Sequence, residues 1–434
     1  MRKYQSRNLK KAYDLGQYAP LYRSKLLGKL KQIRPSGERL APINLDFGPI
    51  RFLIARHFGF CKGVENAIEV AYETLEKHQD RRVFMISELI HNSFVNADLQ
   101  QRGLRFIKTA KGEQLIPWEE IKADDVVITP AFGASVEDIA RLRTIGVDIQ
   151  KWNATCRFVE NVWFRAKELG EQGYTVIIHG KFKHEETQAT FSHSRVFTPT
   201  VVVKDMKESQ ILSQIILGHR SIADFERYFS EKATPGFDPT KDLERIAVVN
   251  QTTMLATETA AISAHFAKAM EEKFGSAELE NRVANTRDTL CYATKNNQSA
   301  TTKLLQEKAD LAIVIGGHNS SNTSHLVELC EEKLPTYFIE SESDILSAEK
   351  IRHYAFREAE EHTIAGYLPI KEPLTVLITS GASCPDAIVE KVLDRLLSFF
   401  PRSKTIMELM EERQSAQKKG GEISPASTRV SKIA

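Results

Sequence analysis

Cys61, Cys156 and Cys291 stand far apart along the chain, yet each marks the break between an apolar run and an amphipathic helical pattern. Their contexts are RFLIARHFGFCKGVENAIEVA, DIQKWNATCRFVENVWFRAKEL and ANTRDTLCYATKNNQSATTKLL. A thiol at a helix N-terminus feels the positive end of the helix dipole, which lowers its pKa and favours the thiolate. Thiolate is the form that binds metal. Three of them, one from each third of the chain, can meet at a shared centre and hold an inorganic cofactor with one position left open. The ordinary fate of a free thiol is burial as a small apolar residue. Cys330, in HLVELCEEK, suits that use because it shares a helix face with Leu326 and Leu329. Cys384 lies in a polar loop, where the sequence does not decide between packing and reactivity.

A second set of residues follows the strand-like runs. His91 comes after RVFMI, Phe132 after DVVIT, and His184 with Glu186 after TVIIHG. Thr252 comes after RIAVV, Ser320, Ser321 and Asn322 after LAIVIGG, and Ser383 after LTVLIT. In open parallel sheets, ligands bind beyond the carboxyl ends of the strands. Hydroxyls, amides and helix N-termini gathered there make an anion site, phosphate being the usual guest. His91 and His184 would add positive charge if protonated. Ser, Asn and Thr also serve as plain helix caps and turn formers. Six such loops at strand ends favour a real site. Glu186 beside an anion would be poised as an acid. The histidines His179, His184 and His193 with Glu185 and Glu186 also permit a zinc site, although the spacing is not HExxH. Neither GxGxxG nor GxxxxGK[ST] occurs, so nucleotide binding of those kinds is not expected.

The elements that must position these residues are legible from residue 50 onward. Short β-rich runs alternate with helical patterns, the signature of βαβ units and parallel sheets. VENAIEVAYETL places Val64, Ala67, Ile68, Ala71 and Leu75 on one helix face. Runs apolar throughout suit strands covered on both sides by helices. The recurrence gives three α/β units, cut at 50–154, 155–288 and 289–400. A basic extension, 1–49, precedes them, and a polar tail that reads as disordered lies within 401–434. The stretch from Lys204 to Glu244 reads as two helices and a Pro/Gly turn with no chemistry of its own.

The 434 residues suffice for two or three domains, and 42% hydrophobic content fits a folded soluble protein. A net charge of +2 argues against capture of nucleic acid or membrane, and no apolar run is long enough to span a bilayer. Five cysteines without a CxxC pair suit a reducing compartment. The first forty residues are basic and acid-poor but lack the apolar core of a secretory signal, and YRSKLLGKLKQI reads as a short amphipathic helix. A cytoplasmic location is expected ahead of a plastid one.

The segments GFCKGV, ELIHN, NATC, HEET, NQTT, TLCYAT, HNSSN and SGASCPD, in this order, resemble the 4-hydroxy-3-methylbut-2-enyl diphosphate reductase family over residues 50 to 400. The resemblance implies three pseudo-repeated α/β domains arranged as a trefoil around a [4Fe-4S] cluster. Cys61, Cys156 and Cys291 would be its ligands, leaving one iron without a cysteine. It implies that the last step of the non-mevalonate isoprenoid route is catalysed here. The allylic hydroxyl of the substrate would leave as water, giving isopentenyl and dimethylallyl diphosphates. Glu186 matches the family's proton-delivering glutamate and Thr252 the threonine beside the hydroxyl. His91, His184, Ser320, Ser321, Asn322 and Ser383 match the diphosphate-binding set. A ferredoxin or flavodoxin is the implied electron donor.

Two departures stand out. Phe132 replaces a diphosphate-contacting histidine of the shorter bacterial members, as it does in the longer plant and cyanobacterial branch. Their HPE is His184, Glu185 and Glu186 here. Two rival readings are a zinc-dependent phosphoester hydrolase and a non-catalytic phosphometabolite-binding protein.

Overall fold

The computed structural model of the protein describes residues 18–32, 38–286, 289–405 and 408–409. The start of the basic extension and most of the polar tail read from the sequence lie outside them. Its strands are β1 (Ile43–Asp46), β2 (Ile50–Ile54), β3 (Val83–Met85), β4 (Leu104–Phe106), β5 (Val126–Ile128), β6 (Thr175–His179) and β7 (Thr200–Val203). They continue with β8 (Ile246–Asn250), β9 (Leu311–Ile315), β10 (Thr336–Ile339), β11 (Lys350–Ala355), β12 (Glu360–Ala365) and β13 (Leu374–Ser380). Three sheets result, ordered β4-β3-β5, β7-β6-β8 and β1-β2-β13-β9-β10, with β11 and β12 forming a separate hairpin. Apart from β1, every strand in the three sheets pairs in parallel.

The apolar runs make this architecture necessary. Side chains alternate faces along a strand, so a run apolar throughout needs a core on each side. In β2 and the residue that follows it, Phe52 and Ile54 enter one core while Leu53 and Ala55 enter another. In β3, Val83 and Met85 face away from Phe84. In β6, Ile177 faces away from Val176 and Ile178. Each sheet is thus covered on both faces, and the three lobes form a trefoil.

The strand Ile50–Ile54, which the sequence groups with the unit that follows it, lies in the third sheet. It pairs in parallel with β13 and antiparallel with β1, so the two ends of the core close on each other. An apolar run specifies that a strand has two covered faces but not which sheet supplies them. The cysteines consequently sit at the crossings between lobes. The chain leaves the third sheet at Ala55, passes Cys61, and enters the first lobe with helix Lys62–Lys77. It passes Cys156 into the second lobe's helix Arg157–Glu171 and Cys291 into the third lobe's helix Tyr292–Leu304.

Within the basic extension, helix Lys25–Gln32 buries Leu26, Leu27 and Leu30 in the third lobe. Lys31 fixes it there by a 2.7 Å ion pair to Asp386 and a 2.8 Å bond to the carbonyl of Phe58. The stretch after β7 forms helices Met206–Ile216 and Ile222–Phe229, as its pattern predicts. Among the described residues, no helix is long and apolar enough to cross a membrane.

Candidate active site

Each cysteine is the N-cap of its helix, and each of the three caps has extended backbone. Its own N–H is held by a loop at the end of a strand. Cys61 donates to the carbonyl of Ala382 (3.2 Å), Cys156 to Ala131 (2.9 Å) and Cys291 to Thr252 (3.1 Å). These three loops come from three different sheets, which draws the sulfurs toward one another. All three line a single cavity of about 90 Å³ at the centre of the trefoil. His91, His184, Glu186, Thr252, Ser320, Ser321, Asn322 and Ser383 line the same cavity, as does Phe132.

Gly63 lets the sulfurs approach. A methyl group built on it would stand 2.7 Å from Cys156 Sγ and 3.7 Å from Cys61 Sγ. Amide hydrogens of the helix ends point at the thiols, as in the 3.3 Å contact from Thr294 N to Cys291 Sγ. The thiols are nevertheless not lowered in pKa. Burial pushes Cys61 up to about 12, with the neighbouring Cys291 adding to it. Cys156 is pushed up by burial and then by Cys61, and Cys291 by burial above all. This corrects the expectation of helix-stabilised thiolates, because desolvation outweighs the amide dipoles. The three sulfurs become thiolates only with a cationic group among them, which suits iron. Among the described residues, no three His, Cys, Asp or Glu side chains could hold a single metal ion. A cluster spreads its ligands over several metal atoms and fits this donor set better.

The histidines proposed for zinc go to three places. His179 is fully buried with Nδ1 3.0 Å from Thr259 Oγ1. His193 stacks on Trp163 at 3.8 Å. His184 meets His91, Nε2 to Nε2, at 3.1 Å. Its Nδ1 accepts the N–H of Glu186 (3.2 Å), so the ring hydrogen lies on Nε2 and is donated to His91. His91 therefore accepts at Nε2 and carries its own hydrogen on Nδ1. Burial holds His184 well below its ordinary pKa, so that ring is neutral. The positive charge expected of His184 is absent in the free protein. Phe132 contributes to that dryness, stacking on His91 at 4.2 Å and meeting His184 edge-on at 5.7 Å.

Donors for an anion remain. Asn322 spends its carbonyl on the N–H of Ala382 (2.9 Å), while its buried Nδ2 has no partner among the described residues. Nδ1 of His91 likewise has no hydrogen-bond partner among the described residues, Glu88 Oε2 standing 3.8 Å away. Ser320 caps helix Ser321–Glu331, whose first residues Ser321 and Asn322 line the cavity. Ser383 donates to the carbonyl of His91 at 3.2 Å.

Glu186 is 1% exposed. Thr252 grips it twice, N to Oε1 at 2.6 Å and Oγ1 to Oε2 at 2.9 Å. Burial raises its pKa to about 7, the two bonds from Thr252 offsetting part of the shift. A carboxyl so placed exchanges a proton near neutrality.

The sequence singled out Thr252 in NQTT but passed over Gln251, which organises the site from behind. Its Oε1 accepts from the N–H of Lys181 (3.2 Å) and from Thr187 Oγ1 (2.9 Å). Its Nε2 donates to Ser321 Oγ (3.2 Å), tying the second lobe to the third. Thr294 was also passed over, although the three-residue step from Cys291 is that of an N-cap contact. Cys330 and Cys384 are fully buried in core clusters, which assigns both to packing.

The LytB protein family matches residues 52–397. The chain is 38% identical to the 4-hydroxy-3-methylbut-2-enyl diphosphate reductase of Synechococcus sp. (strain WH7803), over 91% of this chain and 95% of that protein. It is 39% identical to the enzyme of the same name from Crocosphaera subtropica, over 80% and 85%. In fold it is similar to the solved E-1-hydroxy-2-methyl-but-2-enyl-4-diphosphate reductase from Plasmodium falciparum. That likeness has a TM-score of 0.57 at 20% identity and covers 86% of this chain and 99% of that one.

Proposed function

The chain belongs to the LytB family, and on that premise we infer that it is a 4-hydroxy-3-methylbut-2-enyl diphosphate reductase. The substrate takes up two electrons and two protons, its allylic C–O bond breaks, and isopentenyl or dimethylallyl diphosphate leaves with water. What carries this reading is one cavity that gathers three cysteines, a neutral-range carboxylic acid and anion-binding loops from three lobes. The family's enzymes are iron–sulfur proteins, and Cys61, Cys156 and Cys291 are the residues that would hold a [4Fe-4S] cluster here. When bound, such a cluster supplies electrons and, at the iron lacking a cysteine, a Lewis acid.

The chain's own residues do the rest. Asn322 Nδ2, the serine hydroxyls and the helix start at Ser321 hold the diphosphate. His184 enters neutral and gains affinity for a proton as the anion arrives. When Glu186 is protonated at Oε2, its contact with Thr252 Oγ1 reverses, and the threonine hydroxyl hydrogen is freed toward the cavity. Glu186 and Thr252 thus deliver a proton to the departing hydroxyl. A ferredoxin or flavodoxin would supply the electrons.

The direct test is anaerobic purification with a visible spectrum and iron and sulfide assays, followed by turnover with a chemical reductant. Both isoprenyl diphosphates should form. Stoichiometric zinc without iron, or an unconsumed substrate, would overturn the reading.

Two further results are expected. Glu186 must carry its proton to act, and the protonated fraction falls as pH rises through about 7. Turnover should therefore decline above that pH, roughly tenfold per unit at the limit, and a profile flat to pH 9 would remove Glu186 as the acid. Gly63→Ala should leave the apo chain folded, since alanine favours a helix by about 1 kcal/mol over glycine. Its methyl would press on Cys156 Sγ, so iron content after reconstitution should fall sharply. Full iron loading would show that the sulfurs do not close around Gly63.

A further inference from the structure

A second cavity, of about 560 Å³, lies behind the catalytic loop and is several times larger than the first. The cations in its lining that make no ion pair with a described residue come from three of the elements around it. The loop after β6 gives Lys181, Phe182 and Lys183, the residue after β7 gives Lys204, and helix Ile222–Phe229 gives Arg227 and Tyr228. The helices after β7, to which the sequence assigned no chemistry, thus form one of its walls.

The charge balance is one-sided. Glu208 is already engaged, pairing with Lys232 at 2.7 Å and accepting the N–H of Lys204 at 2.8 Å. Glu231 remains as the other carboxylate in the lining. None of Lys183, Lys204 or Arg227 makes an ion pair with a described residue. Lys181 lies over the ring of Phe356 at 5.0 Å. Burial is the main pressure against its ammonium form; Glu328 opposes that pressure and Lys204 adds to it. Cations on three sides of a half-open cleft bracket a compact polyvalent anion better than they bind an extended polymer. Phe182 and Tyr228, each packed on one side against a core, add apolar surface to the lining.

We propose that this cleft is a second anion site, for a diphosphate group borne either by an isoprenyl chain or by free inorganic diphosphate. The choice of ligand class rests on the reductase reading, in which substrate and products all carry that group. The site is coupled to catalysis through the backbone. Lys181 donates its N–H to Gln251, the side chain that also holds Thr187 and Ser321 and directly precedes Thr252.

Calorimetric titration of the anaerobic holoenzyme with inorganic diphosphate tests it. Two binding classes are expected, one in each cavity. The double variant Lys204→Ala/Arg227→Ala alters two exposed side chains and should fold normally. It should weaken the second class roughly tenfold or more, as loss of two charge contacts implies, and leave basal turnover unchanged. A single class in the wild type, or two unaltered classes in the double variant, would overturn the proposal. Isopentenyl diphosphate displacing inorganic diphosphate from the cleft identifies the isoprenyl ligand, and its exclusion identifies the free anion. Failure of the reductase reading would abolish turnover and leave the cleft's binding class intact, so the two failures are distinguishable.

Discussion

Cys61→Ser, Cys156→Ser and Cys291→Ser should each yield nearly colourless protein after anaerobic purification, with iron and sulfide far below wild type and turnover at least ~100-fold lower. The size of the effect follows from the burial of the three sulfurs. Each is desolvated enough that its thiol is raised in pKa, so the thiolate exists only through its bond to a cationic group. Serine oxygen is a harder and far less acidic donor and does not replace it. Because the cysteines also mark the crossings between lobes, loss of the group they hold should lower thermal stability as well as activity. Cys330→Ser and Cys384→Ser are the controls. Both alter packed core positions, so they should lower stability and keep the colour. Full iron in any of the first three variants would remove that cysteine from the ligand set.

The parts of the molecule most legible in the sequence are those whose burial is symmetric. Runs such as LAIVIGG and LTVLITSG are apolar on both faces and form β9 and β13. The hairpin β11–β12 escaped notice for the opposite reason. Its strands KIRHYA and EEHTIA lie largely at the surface, so they carry charges where a buried strand would carry valines. β4 is three residues long and gives little pattern to read. Strand partners were beyond reach in principle, which is why the strand Ile50–Ile54 was grouped with the wrong neighbours.

At the site, residue identities were legible and electrostatics were not. His91, His184 and the cysteines could be picked out by their positions at strand and helix ends. Their protonation depends on how much water three lobes exclude, a property of the assembled cavity. Dipole arguments made on an isolated helix therefore gave the wrong sign for the thiols, and His184 proved neutral because burial, to which Phe132 contributes, dries it. Gln251 was missed because its role is to join Lys181, Thr187 and Ser321, which are distant in sequence.

The same dependence on burial makes Glu186→Gln the sharpest probe of the proton path. Glutamine is nearly isosteric and can still accept from the N–H of Thr252, so the variant should retain iron, sulfide and substrate binding. It cannot release a proton at neutral pH. General acid catalysis contributes about 10²–10⁴ in rate, and kcat should fall by at least ~100-fold with KM little changed. Thr252→Ala is expected to act through Glu186. Without the hydroxyl, Oε2 loses its 2.9 Å donor, the carboxylate form loses stabilisation, and the pH at which turnover declines should move upward. Thr252→Ser should restore both rate and profile. Undiminished turnover in Glu186→Gln would show that another group supplies the proton. Loss of rate in Thr252→Ala with an unshifted profile would confine the threonine to packing.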